Sequence, residues 1–278
     1  MQKVVRKLLR VVANYDPKYY DMYADADEAC FAALYLERIR RHADAAGIAP
    51  PARVLEAGCQ AGRLVVPLAQ LGFDMTGIDA SGFALRRARQ HAKAAKVWPD
   101  FIQGDVMRVL ESRPNARYDL IICAEVLYLS QAYREILRSL ADALRPGGLL
   151  CVSHRPKLYY LLEALRVNDL ATAERVLKTS EGQVMDQRYC NWQTADELQT
   201  LYRSIGLEWV ALYPIDRFAW LSRVKPSELD AEGQARWLRM EMALSGEAGT
   251  CARYLLIISR RSGEAGREEH SVPSGAGQ

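Results

Sequence analysis

No apolar run in this chain of 278 residues is long enough to span a membrane. Charge of one sign is also in short supply. The 37 Lys and Arg nearly balance the 34 Asp and Glu, leaving a formal net charge of +3. That balance is too weak to argue for a nucleic-acid partner, where a strongly basic face is expected. The six cysteines, Cys30, Cys59, Cys123, Cys151, Cys190 and Cys251, form no C-x-x-C pair and no Cys/His zinc pattern. A disulfide framework and a structural zinc are therefore not expected, no metal ligand is assigned, and a reducing compartment is favoured. The first residues lack the apolar segment and cleavage site of a signal peptide, so the expected location is cytoplasmic.

Half of the residues are hydrophobic and 26% are charged, ordinary values for a globular protein. Residues 1–50 read as an N-terminal helical cap. It carries an amphipathic stretch over Lys3–Val12, a break at Asn14–Pro17, tyrosines at 15, 19, 20 and 23, and a helical pattern from Ala29 to His42. Residues 51–260 read as the main domain. Short apolar runs end at Glu56, at Asp79 and near Gln103, and others cover Leu120–Ala124 and Leu149–Ser153. Helical patterns lie between them, at Arg63–Leu71, Ser81–Ala95, Val106–Glu111 and Ala132–Leu144. This alternation predicts an α/β fold, a parallel sheet with helices on both faces. Insertions are expected near 157–190 and 215–250. The first is read as helical over Leu158–Lys178, with no strand before Tyr189. Between the insertions, Thr194 is expected to cap a helix that stops at Gly206, followed by a strand over Glu208–Tyr213. A last strand is placed at Ala252–Ser259. The tail, 261–278, is rich in Gly, Ser and Glu and is expected to be disordered.

The segment Val54-Leu55-Glu56-Ala57-Gly58-Cys59-Gln60-Ala61-Gly62-Arg63 carries most of the information. Glycines where a strand turns into a helix let the backbone approach a ligand, and the helix start offers free N–H groups. About 20 residues later Ile78-Asp79-Ala80-Ser81 ends the next strand on an acid, which is placed to accept from ribose hydroxyls. The pair points to a nucleoside-containing cofactor. The loop is not the G-x-G-x-x-G of a dinucleotide site, because Gln60 stands two residues after Gly58, and no P-loop is present. Glu56, directly ahead of the turn, would repel a pyrophosphate and could face a cation.

At this point the chain resembles the class I S-adenosylmethionine-dependent methyltransferases. Val54–Gly62 is similar to the family's first motif, V-L-D/E-x-G-C-G-x-G, with Gln60 in place of the middle glycine. Ile78-Asp79-Ala80-Ser81, Gly104-Asp105-Val106, Tyr118–Leu127 and Leu144–Leu150 resemble its later motifs in order. The resemblance implies a doubly wound, mostly parallel seven-stranded sheet with an antiparallel final strand. It implies S-adenosylmethionine as cofactor. It places Gly58, Cys59, Gln60, Gly62 and the Ala124 carbonyl beside the methionine portion, with Glu125 following. Glu56 falls near the amino group, Asp79 on the ribose, and Ala80, Gly104, Asp105 and Val106 around the adenine.

Methyl transfer is an in-line displacement governed by positioning, and a base is needed only where the acceptor must lose a proton. Candidates lie at the C-terminal ends of the strands. His154 and Tyr128 are the catalytic candidates, and Tyr19, Tyr20, Tyr23, Arg155 and Trp192 the substrate-binding ones. Tyr159, Tyr160, Trp220 and Trp237 of the insertions are further aromatic candidates. The amino-methylating D/N-P-P-Y motif is missing. Glu125-Val126-Leu127-Tyr128-Leu129 is instead similar to small-molecule O- and N-methyltransferases. The expected partner is a small-molecule acceptor, and a homodimer is compatible with the sequence. The alternatives are an RNA or protein methyltransferase, or a non-catalytic subunit with a relic cofactor site.

Overall fold

Short, fully apolar strands need cover on both faces, and this chain supplies it with helices on either side of one sheet. The computed structural model describes residues 21–184, 188–223, 225–243 and 251–263. The amphipathic stretch 3–12, Tyr15, Tyr19, Tyr20 and residues 264–278 of the tail lie outside the described residues.

Strands β1 (Arg53–Ala57), β2 (Asp74–Asp79), β3 (Asp100–Gln103), β4 (Tyr118–Cys123), β5 (Leu144–His154), β8 (Leu207–Ile215) and β9 (Tyr254–Arg261) form one sheet in the order β3-β2-β1-β4-β5-β9-β8. The pairs β1–β2, β2–β3, β1–β4 and β4–β5 are parallel, and β9 runs antiparallel to both of its neighbours. Strand order reverses between β1 and β4, and open α/β sheets bind ligands beyond the C-terminal ends of strands at such a point.

Side chains alternate across the sheet with the period of two that a pleated strand imposes. On one face Val54, Leu120, Ile122, Cys151 and Leu256 pack against α1 (Ala26–Ala45), α2 (Val65–Gln70) and α3 (Gly82–Ala94). On the other, Leu55, Ile121, Leu150, Val152 and Ile257 pack against α5 (Tyr133–Asp142) and α8 (Ala195–Ser204), with α4 (Val106–Glu111) alongside. The buried positions of α1, including Phe31, Leu34, Tyr35, Arg38 and Ile39, recur at helical spacing. Arg38 donates from Nη2 to the Met242 carbonyl at 2.8 Å, so α1 is bound into the same core as the sheet.

Caps decide where these helices start. Asp25, Ser81, Asp105 and Asp169 each accept from a backbone N–H in the first turn, and Thr194 with Glu197 closes a full capping box. The first insertion holds α6 (Lys157–Arg166) and α7 (Leu170–Lys178), as its periodicity predicts. It also holds a hairpin, β6 (Glu181–Val184) with β7 (Arg188–Asn191), where no strand was expected ahead of Tyr189. Glu-Gly-Gln has no apolar alternation to announce a strand. A Cβ on Gly182 would lie 3.4 Å from the Trp192 ring, so the strand is set by what it packs on. The second insertion holds α9 (Phe218–Ser222), a single 3₁₀ turn at Pro226–Glu228, and α10 (Ala231–Ala243). No helix among the described residues is long and apolar enough to cross a membrane.

Candidate active site

A cavity of about 490 Å³ opens where β1, β2 and β4 end. Its size is within the range of small-molecule sites. Glu56, Gly58, Cys59, Gln60, Asp79, Ala80, Gly104, Asp105, Val106, Ala124 and Glu125 all line it, and so does Tyr128. Gly62 does not. It sits at φ +86° behind the loop, where a Cβ would crowd Val66 at 3.2 Å.

The loop after β1 is fixed by the acid at the end of β2. Asp79 accepts from Gln60 N–H through Oδ2 at 2.9 Å and from Ser81 N–H through Oδ1 at 2.7 Å. Gly58, at φ +81°, stands so close to Val126 that a Cβ would lie 2.3 Å from Val126 Cγ2. Gln60 adopts φ +45°, the left-handed region that glycine enters freely and other L-residues at a cost. The turn that the family builds with glycine is therefore kept here with glutamine. The Gln60 side chain also acquires a contact, its Oε1 accepting from Met22 N–H at 3.4 Å.

Glu56 is 4% exposed and its Oε2 is buried with no hydrogen-bond partner among the described residues. Burial pushes its carboxyl up to about 8, against the opposing pull of Arg63. An orphaned carboxylate oxygen in a cavity wall fits an ammonium or other cation. Glu125, Asp79 and Asp105 also line the cavity, and Arg63 is the one guanidinium among its described lining residues. This set repels a pyrophosphate and suits a cationic ligand carrying a nucleoside.

Arg63 is 8% exposed and bridges two acids from distant parts of the chain. Nη2 pairs with Glu125 Oε1 at 2.7 Å and Nη1 pairs with Glu28 of α1. Burial alone would raise Glu125. The Arg63 charge and hydrogen bond and the Tyr254 hydroxyl outweigh it and hold Glu125 below its ordinary range. Glu28 shares the same guanidinium less effectively, and burial pushes it up to about 7. No role was expected for Arg63 or Glu28. Their partners are 62 and 35 residues away in sequence, and no local pattern joins them.

Several expectations are corrected by position. His154 is 1% exposed and lies on the α8 face of the sheet, with Nε2 and the Tyr202 hydroxyl 2.9 Å apart. It does not line the cavity, and burial pushes its pKa down to about 3. A ring so placed is closed off from this cavity. Trp192 is fully buried with Tyr160, Val176 and Val184, and its indole N–H donates to the Thr179 carbonyl at 2.8 Å. Trp237 is likewise core, against Phe31. Arg155 is not among the described residues that line this cavity. Its guanidinium lies 4.3 Å from the Tyr128 ring centroid, 4.4 Å from Tyr159 and 4.7 Å from Tyr254, and Nη2 donates to Tyr254 Oη at 2.6 Å. Tyr23 stacks on His91 with ring centroids 4.1 Å apart, beside the cavity and not in its lining. Tyr128 is 6% exposed, and burial pushes its hydroxyl up, partly offset by Arg155, so it is a neutral wall group.

A seven-stranded sheet of this order, with a glycine turn and an acid-lined cavity at its switch point, defines a class I, Rossmann-like methyltransferase fold. Residues 28–212 match the family model for a methyltransferase domain, and the chain belongs to that S-adenosylmethionine-dependent family. It is 30% identical over 168 residues to a ubiquinone biosynthesis O-methyltransferase of Ruegeria pomeroyi, covering 59% of this chain and 61% of that protein. It is 34% identical over 129 residues to the protein of that name from Nitrosococcus oceani, covering 45% and 52%. The chain spans about half the length of the curated relatives it matches. Among solved structures, magnesium protoporphyrin IX methyltransferase from Synechocystis, with S-adenosylhomocysteine bound, superposes with a TM-score of 0.61 at 16% identity, covering 94% of this chain and all of the other. An S-adenosylmethionine-dependent methyltransferase from Clostridium acetobutylicum gives 0.54 at 11% identity, covering 94% and 99%.

Proposed function

We propose that this protein transfers a methyl group from S-adenosylmethionine to an oxygen or nitrogen of a small molecule. Oxygen is favoured, because the relatives it resembles are named O-methyltransferases. The observation that carries the reading is the unpartnered, buried Glu56 oxygen in the wall of an acid-rich cavity at the switch point.

When bound, the donor would supply a methyl group already activated on a sulfonium: the acceptor's lone pair makes the new bond to the methyl carbon while the S–C bonding pair stays on sulfur, which leaves as a neutral thioether. The chain's task is then to bind, align and exclude water. Glu56 holds the ammonium of the methionine portion, and Gly58, Cys59 and the Ala124 carbonyl lie along it. Asp79 keeps lone pairs for the ribose hydroxyls while its amide contacts fix the loop. Ala80, Gly104 and Val106 flank the adenine. Asp105 Oδ1 caps α4, leaving Oδ2 for the exocyclic amine. Tyr128 stands on the acceptor side and orients it.

Calorimetric titration with S-adenosylhomocysteine tests this. Binding with Kd between about 1 µM and 1 mM is expected, the span of ordinary enzyme affinities. Absence of binding at 5-fold higher concentrations than about 1 mM would remove the proposal.

A further inference from the structure

Residues 21–24 form a turn that leads into α1 and brings Met22 into the lining of the first cavity. The far end of the turn is fixed, because Asp25 caps α1 and α1 is bound into the core. One carboxylate shapes the turn. Asp21 Oδ1 accepts from Tyr23 N–H at 3.2 Å and from Ala24 N–H at 3.4 Å.

The other oxygen of that carboxylate reaches a separate element. Asp21 Oδ2 accepts from Arg87 Nε at 3.2 Å and lies 3.2 Å from His91 Nε2, both on α3. Tyr23 stacks on the same His91, with ring centroids 4.1 Å apart and planes 18° apart. The Asp21 side chain is only 12% exposed, so salt screens these contacts less than a surface pair. Between the two, Met22 N–H donates to Gln60 Oε1 at 3.4 Å. Three consecutive residues thus grip α3 and the loop after β1, and the middle one faces the cavity.

Gln60 is the informative partner. Its φ of +45° costs any L-side chain free energy, and glycine would hold the same turn without that cost. What glutamine adds is an acceptor oxygen aimed at Met22. The side chain projects from a pinned backbone, since Gln60 N–H is held by Asp79 at 2.9 Å. The Met22 contact is longer than the roughly 2.7–3.2 Å of ordinary N–H···O bonds. The turn is therefore seated firmly on α3 and has room to close down on Gln60.

We propose that residues 21–23 are a strap over the bound donor, and that Gln60, standing where the family has glycine, is the positioning residue that docks it. Asp21, Arg87 and His91 are its latch. The strap rests on the methyl-transfer reading and adds a step to it: donor and demethylated product leave only after Met22 lifts from Gln60.

The test is the release of radiolabelled S-adenosylhomocysteine from the full chain, chased with excess unlabelled ligand and followed by rapid filtration. Gln60→Gly keeps the left-handed turn and removes only the dock, so release should quicken at least about fivefold, the loss of one ordinary hydrogen bond. Association should stay within about twofold, because a strap acts on the dissociation rate. Gln60→Met, of similar length but without the oxygen, should release as fast as Gln60→Gly. His91→Ala removes the ring beneath Tyr23 and one partner of Asp21, and should quicken release by a similar factor, roughly fivefold. The double variant Gln60→Gly with His91→Ala should be no more than about twofold faster than the faster single one, because a strap lifts once, whereas independent contacts would multiply to about 25-fold.

Unchanged release in Gln60→Gly, wild-type release in Gln60→Met, or multiplied effects in the double variant overturns the proposal. So does a loss of affinity carried by slower association, since the residues would then shape the cavity and not cover it. In each of these results the wild type still binds S-adenosylhomocysteine, and the methyl-transfer reading stands. A wild type that binds none removes that reading and the strap with it.

Discussion

The Gln60 backbone N–H donates to Asp79 Oδ2 across 2.9 Å, so the glycine loop after the first strand is held by the acid that ends the second. Asp79 therefore shapes the loop, and under the proposed function its remaining lone pairs serve the ribose. Asp79→Asn should weaken donor binding by about tenfold or more, because one amide-facing oxygen becomes an N–H₂. Asp79→Ala loses both backbone contacts and should cost about 100-fold, from hydrogen bonds to a charged group worth roughly 1.5–3 kcal/mol each. Calorimetry with S-adenosylhomocysteine measures both. Unchanged affinity in the alanine variant removes Asp79 from the site.

Gln60 stands at φ +45° where the family has glycine. Glycine carries no penalty in this region, whereas an alanine would retain the steric cost and lose the contact to Met22. Gln60→Gly should thus be more stable than Gln60→Ala by about 1 kcal/mol in urea unfolding. Equal stability would mean that the left-handed turn is not imposed by the fold.

At Gly58 the opposite logic holds. A Cβ would lie 2.3 Å from Val126 Cγ2, and valine is stiff about χ1, so the wall cannot yield cheaply. Gly58→Ala should abolish measurable donor binding and lower stability by about 1–3 kcal/mol, the usual cost of overpacking. Gly58→Ala with Val126→Ala should recover part of the stability, since only the backbone cost at φ +81° remains. A double variant no more stable than the single one would place the strain elsewhere.

The sheet and the wall of the first cavity were legible because their signals are local. Apolar runs ending at Glu56 and Asp79, and the cap at Ser81, each depend on a few neighbouring residues. The side of the sheet that each strand-end residue faces is a matter of parity across the whole strand. His154 shares parity with Val152 and Leu150, and therefore points to α8 and Tyr202. Its position at a strand end attracted a catalytic assignment that its face denies. The Glu28–Arg63–Glu125 bridge joins three separate segments, and only tertiary contact reveals it. Aromatic residues in the insertions carry no mark that separates wall from core. Trp220 faces a cavity while Trp192 is wholly enclosed.

With Glu56 as the ammonium's partner, as proposed, donor binding becomes a proton-linked event. Its carboxyl is pushed up to about 8, so near pH 7 it is mostly protonated in the free protein. An ammonium placed against it favours the carboxylate, and close to one proton should leave on binding. Calorimetric enthalpies at pH 7 in buffers of different ionisation enthalpy should therefore diverge, and affinity should rise between pH 6 and 8. Glu56→Gln should abolish the divergence. The same shift bears on folding. A carboxyl raised in the folded state gives stability that is present at low pH and lost as pH climbs from about 4.5 to about 8, by up to about 1.4 kcal/mol per unit. Glu56→Gln should flatten that part of the stability profile, leaving the shares due to Glu28 and Glu241, which burial pushes up to about 7 and about 6. A buffer-independent enthalpy would count against Glu56 as the ammonium's partner.

His154 supplies the converse case, a buried titratable ring outside the cavity lining that is expected to contribute to folding and not to turnover. Its pKa is pushed down by burial to about 3, so it stays neutral across the working range. A lowered histidine gives stability that is present above the unfolded value, near 6.5, and lost as pH falls toward 3. His154→Ala should cost about 2–4 kcal/mol at pH 7, from the cavity left in the α8 face and the unpaired Tyr202 hydroxyl. It should also reduce the loss of stability between pH 6.5 and 4, because no buried ring remains to be charged. At low temperature, where the variant is folded, donor affinity and the pH dependence of turnover should match the wild type. A variant that keeps its stability but loses turnover would return His154 to the chemistry. The opposite result leaves alignment of donor and acceptor, without an imidazole base, as the source of rate.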